Sequence, residues 1–189
     1  MSSTIYLVRH AETVLNADGK LRGLADPDLN ENGRRQAEAL AAALADSSAG
    51  VVVSSPLRRA RETAQAIATA IGVPAEVDED LNDRDYGQWT GHPKDEVVAQ
   101  WGSVDDAPGV EPVAEVMSRA RPALFRLAAR AETTGRPVVL VTHDAVIRPL
   151  LALIGVGDAT VPTASYQVLS YVDGEMTVQA RDQVPDAGD

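Results

Sequence analysis

Two of the three histidines in this chain follow directly on apolar runs. Thr4-Ile5-Tyr6-Leu7-Val8 leads into Arg9 and His10, and Pro137-Val138-Val139-Leu140-Val141-Thr142 leads into His143. A neutral imidazole is a competent nucleophile near neutral pH, and its orientation is set when the second ring nitrogen donates to a carbonyl. Arg9 and Arg59 offer planar guanidinium forks suited to phosphate oxygens, and a protonated His143 would add charge at a transferring group. Backbone N–H groups at helix starts near Ser55 and Asp144 would add more donors. These are parts for phosphoryl transfer, which needs a nucleophile, donors for the equatorial oxygens and an acid for the leaving oxygen.

The elements that position these groups can be read from pattern. Both apolar runs read as strands buried on both faces of a parallel sheet, whose carboxyl ends hold ligands in open α/β folds. Right-handed crossovers let such strands lie side by side, which brings His10 and His143 to one crevice. A helix is expected with Ser55 as N-cap and Pro56 as first helical position, running to Ile71 and ended by Gly72. Leu57, Ala60, Ala64, Ile67 and Ile71 form its buried stripe. Arg58 shares a face with Glu62, Gln65 and Thr69, so it reads as solvated with Glu62 as its i,i+4 partner. Arg59 lies on the flank with Thr63, Ala66 and Ala70 and is the arginine expected to face the crevice.

Four stretches in order resemble the motifs of the histidine phosphatase superfamily, also called the phosphoglycerate mutase-like family. They are Arg9-His10-Ala11-Glu12-Thr13 with Asn16, residues 54–64 from Ser54 through Arg59-Ala60, Leu81-Asn82-Asp83-Arg84-Asp85-Tyr86-Gly87-Gln88-Trp89-Thr90-Gly91, and Val141-Thr142-His143-Asp144. The resemblance spans the first strand to about Gly155. It implies that His10 becomes phosphorylated, that Arg9, Arg59 and His143 form the phosphate pocket, and that Asp83 is the proton donor. Thr13, Asn16, Arg22, Gly23 and Tyr86 match positions that contact substrate in relatives. It also implies a metal-independent phosphatase without cofactor, acting on a small phosphorylated metabolite, with mutase-type transfer or a catalytically weak binding domain as alternatives. Asp83 stands where glutamate is usual and Asp144 where glycine is common. Asp144 is expected to turn away from a bound phosphate as a helix cap. Val110-Glu111-Pro112 replaces a frequent Gly-Glu-Ser.

At 189 residues, with 44% hydrophobic and 24% charged side chains, the chain has ordinary globular composition and length for one domain. Its net charge of −11 disfavours nucleic acid and anionic membranes as partners, so a phosphate site must be a local positive pocket. A homodimer is compatible with that surface. No apolar run approaches the roughly 20 residues needed to cross a bilayer, and Met1-Ser2-Ser3 leads straight into a strand, so a cytoplasmic location is expected. The absence of cysteine removes disulfides and thiolate chemistry.

The residues between Asn16 and Asn30 form a Gly- and Asp-rich loop long enough to suggest function. Asn30 is expected to cap a helix to about Ala45, and residues 50–54 to form a buried strand. Short helices follow at residues 94–101 and 145–154, with a longer one from Val113 to Ala131 that Pro122 should kink or divide. Residues 166–172 and 176–180 read as a terminal hairpin about Asp173-Gly174-Glu175. The fold class is therefore α/β, a three-layer sandwich with a mostly parallel central sheet and a C-terminal hairpin. Residues 1–181 read as one domain and 182–189 as a disordered tail.

Overall fold

Strands that alternate apolar side chains between two covered faces make the centre of the molecule. The computed structural model describes residues 3–157 and 159–188, so Met1, Ser2, Asp158 and Asp189 lie outside the described residues. Six strands form one sheet: β1 (Ser3–Arg9), β2 (Val51–Ser54), β3 (Ala75–Val77), β4 (Val138–Thr142), β5 (Tyr166–Val172) and β6 (Glu175–Gln183). Their order is β3-β2-β4-β1-β5-β6, with the first four parallel and β5 and β6 antiparallel. The helices are α1 (Val14–Ala17), α2 (Glu31–Leu44), α3 (Arg58–Ile71), α4 (Lys94–Trp101), α5 (Val113–Thr134) and α6 (Asp144–Leu153).

The period-two pattern divides the core. Ile5, Leu7, Val51, Val53, Val138 and Leu140 face one apolar cluster with α5 and α6. Val8, Val52, Val139 and Val141 face the other, with α2 and α3. Helices thus cover both faces, as near-continuous apolar strands require. This is the three-layer α/β architecture expected from the sequence, hairpin included.

Three local expectations are corrected. Helix α3 begins at Arg58 with Leu57 as N-cap, while Ser55 and Pro56 remain in the turn before it. Ser55 Oγ instead accepts from Leu57 N at 3.3 Å and faces His143. Helix α5 runs undivided through Pro122, because its buried stripe continues on both sides of it, from Val116 and Ala120 to Leu124, Leu127 and Ala131. Pro122 is exposed, so solvent can reach the backbone group it leaves unpaired. Strand β6 extends through Gln183, so Asp182 and Gln183 belong to the sheet and not to a disordered tail.

The α5 stripe outweighs an intrinsic penalty, and that penalty should be recoverable. Pro122→Ala is expected to stabilise the protein by about 1–3 kcal/mol, restoring the lost helical bond against a smaller loss of unfolded-state restriction. Thermal unfolding checks it, and a lower Tm would show that the proline ring itself packs.

Candidate active site

Register brings the site together. Arg9 pairs with Thr142 across β1 and β4, and Ser54 pairs with Val141 across β2 and β4, so three adjacent parallel strands end in step. The ladder continues one residue further, with His10 N donating to Thr142 O at 3.0 Å and Ser55 N to Val141 O at 3.0 Å. The His10 and His143 rings lie 5.1 Å apart between centroids, and both side chains are buried. His10 Nδ1 sits 2.6 Å from Ala11 O. A carbonyl only accepts, so Nδ1 carries the proton and Nε2 keeps its lone pair. His143 Nε2 is 2.7 Å from Ser55 Oγ, and its Nδ1 is 3.5 Å from Asp83 Oδ2.

The first turn of α3 places Arg59 at this edge with 0% exposure. Its Nη1 donates to Ala25 O at 2.6 Å, and its Nη2 to Gly23 O and Asp83 Oδ2, both at 2.8 Å. Arg58 is exposed, and its partner is Asp28 at 2.7 Å, not Glu62. Glu62 Oε2 accepts from Leu29 N instead. Arg9 donates from Nη1 to Val161 O at 2.6 Å. Thr13 caps α1 in a reciprocal box with Asn16, whose Oδ1 accepts from Thr13 N and Oγ1 and whose Nδ2 remains free of protein partners.

Eight buried side-chain polar atoms among the described residues have no protein partner. Six are on residues that the sequence motifs point to: His10 Nε2, His143 Nδ1, Asn16 Nδ2 and the Nε atoms of Arg9, Arg22 and Arg59. Buried polar atoms without partners are rare and carry a desolvation penalty, and five of these six can donate to an oxyanion. Gly23 and Tyr86 have a different place. A Cβ on Gly23, at φ +48°, would come within 3.0 Å of Thr90 Oγ1 and 3.1 Å of Tyr86 Cδ2, and the Gly23 carbonyl is engaged by Arg59. Tyr86 is packed with the Arg84 guanidinium over its ring. Gly23 thus holds Arg59 through its carbonyl, with Tyr86 packed close against it.

Burial pushes His10 well below the ordinary imidazole value, and the charges of Arg59 and Arg9 push it further. The same holds for His143, where burial leads and Arg59, Arg22 and Arg9 follow. Burial and these arginines therefore favour a neutral His143 in the free protein over the charged form that would add a cation at the transferring group. Burial also lowers Arg9, to about 10, which leaves it cationic at neutral pH. The pocket is thus a positive centre inside an acidic protein.

Asp83 is 3% exposed, with Oδ1 accepting from Arg84 N at 2.8 Å and Oδ2 joining Arg59 to the edge of His143. Its segment is tied to the sheet by Thr142 Oγ1, which donates to Leu81 O at 2.8 Å. Arg119 of α5 donates to Asn82 O at 2.6 Å and Asp83 O at 3.0 Å, and pairs with Glu111. Glu111 also accepts from Asp85 N, so the Val110-Glu111-Pro112 segment supports the Asp83 loop. Asp144 accepts from Arg148 Nε at 2.6 Å and is not the helix cap expected, since His143 takes the N-cap position; its charge still reaches Arg9, whose pKa it raises against the lowering by burial. The sequence marks Ser55 only as a helix N-cap and Thr63 only as a neighbour of Arg59 on its helix flank, and gives no site role to either or to Arg119. Thr63 Oγ1 accepts from Ala11 N at 3.0 Å, and its place on the Arg59 flank of α3 was the available signal. Nothing local marks Arg119.

Beside Asp83 opens a cleft of about 580 Å³ lined by Leu24, Glu79, Asn82, Asp85, Glu111, Glu115 and Arg119, among others. Among the described residues, Arg119 is its only basic side chain. No three His, Asp or Glu side chains among the described residues group to hold a metal ion, and no helix is long and apolar enough to cross a membrane.

Known proteins resemble this chain in sequence and in fold. The chain is 34% identical over 190 residues to a glucosyl-3-phosphoglycerate phosphatase of Mycolicibacterium vanbaalenii, covering 93% of this chain and 82% of that protein. It is 32% identical over 169 residues to a 2,3-bisphosphoglycerate-dependent phosphoglycerate mutase of Sinorhizobium fredii, covering 82% of this chain and 80% of that protein. A solved structure of a mycobacterial glucosyl-3-phosphoglycerate phosphatase with inorganic phosphate superposes with a TM-score of 0.81 at 28% identity, covering 96% of this chain and 97% of that one. The family model for branch 1 of the histidine phosphatase superfamily matches residues 5–183, and the chain belongs to that superfamily.

Proposed function

We propose that the protein is a metal-independent phosphomonoesterase that acts on a small phosphorylated metabolite through a phosphoryl group carried on His10 Nε2. The observation that supports this reading best is the set of unpartnered buried nitrogens around a neutral imidazole. In the first step the Nε2 lone pair attacks phosphorus as the bond to the leaving oxygen breaks. Arg9, Arg22, Arg59 and Asn16 take the phosphoryl oxygens, and Asp83 gives a proton to the leaving alkoxide. With Ser55 Oγ–H donating to its Nε2, a neutral His143 adds an Nδ1–H donor beside Asp83. A substrate phosphate competes with Asp83 for Arg59, and one entering as a monoanion supplies the proton that Asp83 passes on. In the second step the Asp83 carboxylate takes a proton from the water that attacks phosphohistidine, and His10 is released neutral with its Nδ1–H kept.

The phosphatase relative and the phosphate-bound neighbour support hydrolysis, while the mutase relative supports phosphoryl return to a sugar acid. The cleft beside Asp83 favours the first. Glu79, Asp85, Glu111 and Glu115 line it, and its one arginine is held by Glu111, so a phosphoglycerate or bisphosphate turning over there meets carboxylates. Phosphoryl release to water is the expected fate.

Three outcomes test this reading. Rapid acid-free quenching of turnover should trap an acid-labile phosphoryl group on His10, and His10→Ala should abolish turnover without unfolding the protein. Label on another residue, or interconversion of 3- and 2-phosphoglycerate faster than phosphate release, rejects it. The acid limb of kcat/KM that reports the free nucleophile should fall well below pH 6.5, since both histidines are held neutral by burial and the arginines. A limb at or above 6.5 contradicts a buried neutral His10. Asp83→Asn should lower kcat/KM for an alkyl phosphate by roughly 10²–10⁴ and for p-nitrophenyl phosphate far less, because nitrophenolate leaves without an acid. Equal losses on both substrates would mean that Asp83 only orders Arg59.

A further inference from the structure

The loop between α6 and β5 carries two non-glycine residues in the left-handed region, Val161 at φ +44° and Ala164 at φ +54°. For a β-branched residue such as buried Val161 that conformation is strongly disfavoured, and it persists only where surrounding groups impose it. Both residues face the site. Val161 O is the acceptor for Arg9 Nη1 at 2.6 Å, and Ala164 N donates to His10 O at 3.1 Å. Arg9 N in turn donates to Ser165 O at 2.9 Å. The strained loop is therefore the support under Arg9 and His10.

What imposes the strain is a carboxylate near the end of β6. Asp182 Oδ1 accepts from Val161 N at 3.1 Å and from Gln167 Nε2 at 2.9 Å. Its Oδ2 accepts from Thr160 N at 3.3 Å and Thr160 Oγ1 at 2.9 Å. Its own backbone N–H donates to Gln167 Oε1 at 2.8 Å, which anchors it to β5. Burial works against the Asp182 charge, yet these bonds hold its pKa below the ordinary value. From the other side Arg148 holds the carbonyls of Ala159 at 2.7 Å and Thr160 at 2.8 Å.

We propose that Asp182 is a positioning residue for phosphate binding: it locks Val161 in its left-handed conformation, and the Val161 carbonyl then aims the Arg9 guanidinium into the pocket. Two consecutive backbone N–H groups converging on one carboxylate fix the peptide plane between Thr160 and Val161. Without that clamp Val161 relaxes toward ordinary φ, its carbonyl swings, and Arg9 loses the acceptor that orders it. The inference rests on Arg9 being a phosphate ligand.

The test is the affinity of the full chain for orthovanadate, measured for Asp182→Asn with Arg9 present and in an Arg9→Ala background. An amide in place of the carboxylate presents N–H groups to donors, so the clamp opens. Vanadate binding should weaken about tenfold with Arg9 present and less than about twofold without it, the size of coupling seen between groups in one hydrogen-bond network. Thr160→Val, which removes only the hydroxyl bond, should show a smaller loss of about two- to threefold, again confined to the chain with Arg9. It carries the test if Asp182→Asn fails to fold. If Arg9→Ala weakens vanadate but the Asp182 and Thr160 changes act equally in both backgrounds, or in neither, the positioning role is wrong while the pocket assignment stands. If Arg9→Ala leaves vanadate affinity unchanged, both fall.

Discussion

The parallel pairing of β1 with β4 is the constraint on which the rest of the site depends. Because Arg9 lies opposite Thr142 and His10 N–H reaches Thr142 O, the two histidines leave the sheet at the same level on neighbouring strands. A slip of one residue would move His143 out of step and turn the β4 side chains to the wrong core. The two apolar clusters prevent it, since alternate residues of each strand are buried against different helices. Core packing thus sets catalytic geometry, and no single residue at the site does so.

Placed together, the groups create an electrostatic conflict. Arg59 is fully buried, Arg9 partly, and both surround histidines that burial keeps neutral. The guanidinium groups are held by carbonyls of Gly23, Ala25 and Val161, and the carboxylate that meets Arg59 is Asp83. Main-chain acceptors orient a cation without neutralising it. The Arg59–Asp83 pair is the exception, and removing one partner of such a buried pair leaves an uncompensated charge. In the proposed reaction a phosphoryl group entering the pocket would exchange partners within this network. The ion pair that satisfies Arg59 in the free protein would then couple phosphate binding to Asp83, the proposed proton donor.

The loop after His10 is shaped by close approach. Asn30 caps α2 through Gly33 N, and its Nδ2 also donates to Glu12 Oε1 at 2.8 Å. A Cβ on Gly33 would come within 2.0 Å of Glu12 O, so only glycine lets the start of α2 pack against this loop. Asn30 N also bonds Glu12 O, and Gln36 Oε1 accepts from Glu12 N. On the other side of the strand ends, Asp182 and Arg148 brace the loop beneath Arg9. The pocket is held by two such struts, from the start of α2 and from the end of β6.

Local pattern was enough to determine several features. Apolar runs marked β1, β2 and β4, their ends marked His10 and His143, and helical phase separated buried Arg59 from exposed Arg58. Four motifs in order identified the superfamily. Each of these depends on periodicity or spacing within a few turns of chain, which sequence displays directly. The tertiary structure decided what depends on partners distant in sequence. Arg58 meets Asp28, 30 residues away, instead of the adjacent-turn Glu62, and Arg59 meets Asp83, 24 residues away. Burial favours the neutral form of His143, and arginines from several elements converge on it to push its pKa lower still, a sum that no local window contains. Pro122 stays within α5 because the stripe on either side is buried by strands remote in the chain. Asp182, read from composition as part of a loose tail, is ordered by donors on residues 160, 161 and 167, which only the closing of the hairpin onto the sheet brings within reach.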